Sequence, residues 1–170
     1  MRSMGFPDND MSPWVAEEHT DEASPPNFES EADGLNLNIW TTGPLTGSVK
    51  LPVLVWVHGG AFIMRGPPSQ SPLTNGAHLA QRGSVVVSIN HRTFGLGFLY
   101  KDGGDIPPNL GLLDVVAALE WVQGEIEAFG GDPEAVTLWG ESEGAVKALL
   151  LLGSPYALER RLFHRVVSNS

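Results

Sequence analysis

The chain has 170 residues, no cysteine and a formal net charge of −10, which suits one globular domain. Without cysteine it has no disulfide framework, no thiolate metal site and no cysteine nucleophile. Acidic residues outnumber basic ones by 20 to 10 and no Lys/Arg run occurs, so we expect no nucleic-acid partner and no binding to an anionic membrane.

Residues 1–32 differ in composition from the rest of the chain. The segment up to Asp33 carries nine acidic residues against one basic residue, Arg2, and is rich in Pro, Ser and Asn. We interpret residues 1–32 as an acidic, disordered arm and residues 33–170 as the folded part. Neither a signal peptide nor an apolar stretch of transmembrane length is visible. Together with the absence of cysteine, this favours a cytoplasmic location.

Five segments of the folded part are predicted to be strands. Residues 35–40 alternate apolar and polar side chains, which predicts a half-buried strand near a sheet edge. The other four are apolar runs rich in β-branched residues, typical of parallel strands that are covered on both faces. These runs are residues 52–57, 85–89, 136–139 and 165–168.

Helices are predicted between the strands, at residues 74–82, 110–129 and 142–152. The longest repeats apolar residues at spacings of three and four, and Gly130-Gly131 supplies the left-handed backbone that ends it. Strands that alternate with helices predict an α/β fold with an open, mostly parallel central sheet flanked by helices. In such sheets ligands bind at the carboxyl ends of the strands.

A Gly-x-Ser-x-Gly sequence, residues 140–144, lies between the third apolar run and the last predicted helix. In this context the pattern predicts a nucleophile elbow, in which a tight turn presents the Ser142 hydroxyl above the sheet. Gly140 and Gly144 would remove side chains that clash in the turn. The alternative is a strand-to-helix turn that needs glycines for packing alone.

A glycine-rich segment, His58-Gly59-Gly60-Ala61-Phe62, follows the apolar run at residues 52–57. Backbone amides without bulky side chains are suited to binding a tetrahedral oxyanion. The amides of Gly60 and Ala61 are candidate donors, and the amide of Glu143, directly after Ser142, is a third. The alternative is a glycine-rich loop that serves close packing only.

The ordered set of motifs resembles type-B carboxylesterases, the carboxylesterase/cholinesterase family of α/β-hydrolases. The matching blocks include Asp33-Gly34-Leu35, Trp56-Val57-His58-Gly59-Gly60, Asn90-His91-Arg92, Asn109-Leu110-Gly111, Phe129-Gly130-Gly131-Asp132-Pro133 and Trp139-Gly140-Glu141-Ser142. The resemblance implies a partial α/β-hydrolase fold over residues 33–170, a small-molecule carboxylic ester as substrate, and neither cofactor nor metal. It also implies that Ser142 is the nucleophile and that Arg92 and Asp114 form a buried structural ion pair.

The resemblance places the acid and the histidine of the catalytic triad after the nucleophile, in further strands of a longer domain. We therefore expect the chain to be a truncated N-terminal portion, inactive alone, whose partner is a complementary C-terminal half. Glu159 and His164 stand in the right order to replace the missing pair, but both lie in one short segment, which is poor triad geometry. The alternative function is a catalytically inactive remnant or a binding module of the same fold.

Two residues depart from the family pattern next to the predicted nucleophile. Glu143 stands where the family typically has Ala, and Lys147 where a small residue is usual. A carboxylate beside a developing oxyanion would oppose its charge unless the side chain turns away or is protonated. Lys147 is four residues further along the helix, so we expect it to pair with Glu143.

Overall fold

The structure is a computed structural model that describes residues 35–43, 49–63, 75–104 and 107–170. The predicted arm, residues 1–32, lies outside the described residues, and its disorder stays a prediction. Within the described ranges the backbone forms a five-stranded sheet with helices packed against it.

The sheet is mixed, with one antiparallel strand at its edge. The strands are β1 (Leu37–Trp40), β2 (Leu51–Val57), β3 (Val85–Ile89), β4 (Gly131–Glu141) and β5 (Arg165–Asn169). Their order across the sheet is β1-β3-β2-β4-β5. Only β1 runs antiparallel to its neighbour, and the other pairings are parallel. The predicted α/β class, the mostly parallel sheet and the edge position of the first strand are confirmed.

The helices are α1 (Ala77–Ala80), α2 (Phe94–Phe98), α3 (Leu110–Glu125), α4 (Glu143–Leu152) and α5 (Pro155–Glu159). Helix α3 confirms the long prediction, except that its last turn is a 3-10 helix, ended by Gly130 at φ 77°. The prediction for residues 74–82 is too long at both ends, because α1 begins after Gly76, its N-cap residue, and a turn to the left-handed Gly83 follows Ala80. Helices α2 and α5 were not predicted, since five residues are too few to show a period.

The burial of each strand depends on its position in the sheet. All five residues of β3 are buried, as expected for a parallel strand inside the sheet. Strand β5 differs, because it is an edge strand and Val167 is 42% exposed. The prediction that it is covered on both faces is therefore wrong for the described residues.

The register brings three strand ends to one edge of the sheet. Val57, at the end of β2, pairs with Ile89 and with Gly140, and Gly140 pairs with Ser168. The segments that follow β2, β3 and β4 therefore leave the sheet side by side. This edge contains the glycine-rich segment after β2 and the Gly-x-Ser-x-Gly turn.

Candidate active site

Ser142 lies on a strained turn between β4 and α4. Its backbone has φ 52° and ψ −117°, a conformation that non-glycine residues seldom adopt, and the residue is exposed. A Cβ atom added at Gly140 would lie 2.1 Å from the carbonyl oxygen of Gly144. The first glycine of the motif is therefore required by close backbone contact across the turn.

Gly144 brings helix α4 against the end of β2. A Cβ atom added there would lie 2.1 Å from the Val57 carbonyl oxygen. Gly59 makes the second close approach, since its added Cβ would lie 2.8 Å from the Ser142 Cβ. The two contacts place residues 58–63 directly beside the serine. We call this segment the oxyanion loop, after the oxyanion donors that the sequence predicts in it.

The oxyanion loop has an unusual backbone. Gly60 has φ 144°, and Ala61 and Phe62 follow at φ 54° and 64°, in the left-handed region that side chains disfavour. The Ile63 amide donates to the Gly60 carbonyl oxygen at 3.1 Å. The amides of Gly60, Ala61 and Glu143 donate to no acceptor among the described residues. They therefore satisfy one requirement of oxyanion donors, which is to be available to a ligand.

The Glu143 side chain is buried and does not lie free beside the serine. Its Oε1 is 2.6 Å from Lys147 Nζ, and both side chains are at most 1% exposed. Its Oε2 accepts a hydrogen bond from the Phe62 amide. The predicted pairing of Glu143 with Lys147 is thus confirmed, and the carboxylate is bound on both oxygens.

Two histidines complete this group, and we call His58, His91, Glu143 and Lys147 the buried cluster. The His58 and His91 rings stack with centroids 4.0 Å apart, and Lys147 Nζ lies 2.9 Å from His91 Nδ1. Burial is the main cause that lowers the pKa of His91 to about 4, and His58 and Lys147 act in the same direction. At neutral pH His91 is therefore uncharged, and in the tautomer that carries its proton on Nε2, Nδ1 accepts from Lys147 Nζ.

Apart from the pairing of Glu143 with Lys147, sequence reasoning missed the buried cluster. The signal was present in the strand ends, because His58 directly follows β2 and His91 comes two residues after β3. Parallel strands with aligned ends bring such residues together. Combined with the pairing of Glu143 and Lys147, this alignment indicates the whole group.

Arg92 and Asp114 lie together, as the resemblance implies. Arg92 Nη2 is 2.7 Å from Asp114 Oδ1, and its Nε is 2.9 Å from Oδ2. The Arg92 amide also donates to Oδ2, at 2.9 Å. The Asp114 side chain is 5% exposed and that of Arg92 is 19% exposed. The pair connects α3 to the segment after β3 and stands outside the serine turn.

His164 lies directly before β5, at the end of that strand that is far from Ser142. Its amide donates to the Val136 carbonyl oxygen at 2.8 Å, and its Nδ1 accepts from the Val136 amide at 3.3 Å. Five residues of β4 lie between Val136 and Ser142, which places the two about 20 Å apart. Glu159 and His164 therefore cannot complete a triad with Ser142, and no histidine of the described residues hydrogen-bonds its hydroxyl.

Neither a metal centre nor a membrane span is found in the part of the chain that the structure describes. No cluster of three or more His, Asp or Glu side chains there is arranged for a metal ion. No helix of the described ranges has both the length and the apolar character needed to cross a bilayer.

A mostly parallel sheet with a Gly-x-Ser-x-Gly turn after an inner strand is the arrangement of an α/β-hydrolase. The sequence model described as "Carboxylesterase family" matches residues 8–170, and the chain belongs to this family. It is 43% identical over 144 residues to Carboxylesterase 3B of Mus musculus, covering 84% of this chain and 24% of that protein.

A second curated relative and a solved structure are also carboxylesterases. Liver carboxylesterase of Sus scrofa is 43% identical over 143 residues, covering 84% of this chain and 24% of the relative. The solved structure of a Geobacillus stearothermophilus carboxylesterase superposes with a TM-score of 0.71 at 44% identity, covering 79% of this chain and 29% of that chain. The chain thus spans about a quarter of the length of these curated relatives.

Proposed function

We propose that the protein hydrolyses carboxylic esters with Ser142 as the nucleophile. Its Oγ forms a bond to the ester carbonyl carbon, and the carbonyl oxygen takes the negative charge of the tetrahedral intermediate. The amides of Gly60, Ala61 and Glu143 bind that oxygen. A general base takes the hydroxyl proton of Ser142 during this attack. When the intermediate collapses, the bond to the alcohol oxygen breaks and the base gives that proton to the leaving alcohol. Water, deprotonated by the same base, then attacks the acylated serine and releases the acid.

One observation carries the proposal, which is the contact between the oxyanion loop and the serine turn. The added Cβ of Gly59 would lie 2.8 Å from the Ser142 Cβ, so only a glycine allows the loop to come this close. Membership of the carboxylesterase family supports the same chemistry. Together they favour catalysis over a turn and a loop that serve packing alone.

We assign the general base and its acid to polypeptide beyond the described residues. The His58 and His91 rings are buried and stack on each other, and His91 also contacts Lys147. His164 contacts Val136 instead, far from Ser142. Without a base, loss of triad function should lower the rate by about four to six powers of ten. The 170-residue chain alone should therefore show no burst of p-nitrophenolate from p-nitrophenyl acetate.

Imidazole in the buffer can replace the missing base and so tests the nucleophile. We expect intact-protein mass spectrometry to show one acetyl group on Ser142 that depends on imidazole, absent in Ser142→Ala and present in Ser154→Ala. Equal acetylation of Ser142→Ala would refute the proposal, as would no acetylation of the wild type. A stoichiometric burst without imidazole, lost in Ser142→Ala, would refute the assignment of the base.

The second candidate is a binding module of the same fold. One face of α4 is apolar and exposed: Val146, Leu149, Leu150 and Leu152 are each 45–56% exposed. An apolar face of this kind marks an interaction surface, and a complementary C-terminal half of the hydrolase domain is the partner that we propose. A chain that is monomeric in sedimentation and melts cooperatively alone would count against this candidate.

A further inference from the structure

A buried pair of opposite charges lies directly behind the oxyanion loop. Glu143 and Lys147 occupy one face of α4, with Oε1 and Nζ 2.6 Å apart and side chains 0% and 1% exposed. A buried ion pair stabilises a fold only when further hydrogen bonds satisfy the remaining donors and acceptors. The identity of those further partners therefore indicates what the pair does.

The partners lie on the oxyanion loop and on the segments beside it. Glu143 Oε2 accepts from the Phe62 amide, while Lys147 Nζ donates to His91 Nδ1 at 2.9 Å. The same ammonium lies 5.5 Å from the ring centroid of Phe62 and 5.3 Å from that of Phe98, within the range of a cation–π interaction. Both charges of the pair thus contact Phe62, one at its backbone and one at its ring.

Phe62 is the point at which the loop conformation is fixed. It follows Ala61 in the left-handed region, at φ 64° and 54°, and such a backbone persists only when its surroundings impose it. Its amide donates to the Glu143 carboxylate and its carbonyl accepts from the Phe94 amide. A hydrogen bond to a carboxylate is stronger than one between neutral groups, so Glu143 has the larger share in holding this turn.

We infer that Glu143 and Lys147 are positioning residues for the oxyanion hole. Glu143 fixes the Phe62 amide and with it the direction of the adjacent Gly60 and Ala61 amides. Lys147 compensates the carboxylate charge, which would otherwise oppose the oxyanion beside the Glu143 amide. This inference rests on the proposed ester hydrolysis, because it assigns the pair to the same oxyanion site.

The competing explanation is that the pair only stabilises the fold. A variant that removes one charge, compared with a variant that removes both, distinguishes the two explanations. Lys147→Met leaves the carboxylate uncompensated near the oxyanion donors, whereas Glu143→Gln/Lys147→Met removes both charges and keeps a hydrogen-bond acceptor for Phe62. A positioning role predicts that the double variant recovers activity that the single variant loses, at equal fractions of folded protein.

Amide hydrogen exchange tests the contact without any enzymatic assay. In the complete chain followed by NMR, Glu143→Ala should increase exchange at the Phe62 amide by about tenfold or more. The Leu51 amide, which donates to Gly130 at 2.8 Å far from the site, should not change. Unchanged exchange at Phe62 would overturn the inference whatever the outcome of the acylation assay.

Imidazole-dependent acetylation of Ser142 by p-nitrophenyl acetate tests the catalytic consequence. Lys147→Met should slow it roughly ten- to a hundredfold, and the double variant should return to within about threefold of the wild type. Lys50→Met is the matched control, since Lys50 pairs with Glu127 at the surface, and it should have no effect. Equal slowing in the single and double variants would overturn the inference.

The two proposals can fail separately. If the wild type is not acetylated while Phe62 exchange responds to Glu143→Ala, ester hydrolysis fails and the loop contact stands. If the wild type is acetylated at Ser142 and neither Phe62 exchange nor the rate responds to these variants, the positioning role fails and ester hydrolysis stands.

Discussion

Acidification should weaken the fold because His91 must stay neutral inside it. Its pKa is lowered to about 4, first by burial and then by the nearby His58 and Lys147, whereas in the unfolded chain it is about 6.5. Between these values the unfolded chain binds a proton that the native chain does not. The free energy of unfolding therefore falls as pH falls through this window, and the titration of His91 does not change stability well above pH 6.5.

The magnitude follows from the difference between the two pKa values. At a pH below both pKa values, the titration of His91 lowers the free energy of unfolding by about 3 kcal/mol, and about 2 kcal/mol of this is lost between pH 7 and pH 5. The pKa of His58 is also lowered, chiefly by burial, and acts in the same direction. The other charged groups that face His91 are Lys147 at 2.9 Å and Glu143, whose Oε1 is 4.0 Å from His91 Nδ1.

Urea unfolding at pH 7, 6 and 5 measures this dependence. His91→Gln keeps an acceptor for Lys147 but cannot take up a proton, so the loss of stability between pH 7 and 5 should shrink by about 2 kcal/mol. His78→Gln, at an exposed position on α1, is the control and should keep the wild-type slope. A wild type equally stable at pH 7 and 5, or an unchanged slope in His91→Gln, would refute the reasoning.

Two further predictions concern packing and charge. Gly144→Ala should destabilise by about 2 kcal/mol or more, because its Cβ would lie 2.1 Å from a β2 carbonyl oxygen; the Cβ of the control Gly124→Ala meets nothing within 4 Å. Equal melting temperatures would contradict this packing. Asp114→Ala should cost about 3 kcal/mol in urea unfolding, because it removes a buried carboxylate that accepts hydrogen bonds from the Arg92 side chain and amide. Glu134→Ala, in an exposed pair, should cost below about 1 kcal/mol. Comparable losses would contradict the difference in burial.

The features that sequence predicted well depend on neighbouring residues. The strand, glycine, serine and helix around Ser142 follow one another along the chain, and the structure places them as β4, the turn and α4. Gly130 ends the long helical segment at φ 77° for the same reason, since its left-handed backbone is a local preference of glycine. Local preferences of this kind can be recognised without knowledge of the rest of the fold.

The features that sequence missed depend on long-range contacts. Strand β4 begins at Gly131, five residues before the predicted start, because Gly131 pairs with Leu51 and Val136 with Val53 around an irregularity. Proline at position 133 and charged neighbours conceal this extension in the sequence. The contact of Glu143 with the Phe62 amide joins residues 81 positions apart, and no periodicity within either segment indicates it.

The charges of the buried cluster constrain one another. Glu143 without Lys147 would be a buried carboxylate beside the oxyanion donors, and Lys147 without Glu143 would be a buried ammonium, so each is tolerable only with the other. His91 must then remain neutral, because a proton on its Nδ1 would place a second cation 2.9 Å from Lys147 Nζ. The two effects have different origins. The acid sensitivity comes first from the burial of His91, with His58 and Lys147 acting in the same direction and Glu143 acting against it, whereas the Glu143 carboxylate holds the Phe62 amide of the oxyanion loop. In Glu143→Gln/Lys147→Met the burial of His91 remains, so the fold should still lose stability between pH 7 and pH 5, while Phe62 keeps a hydrogen-bond acceptor at position 143.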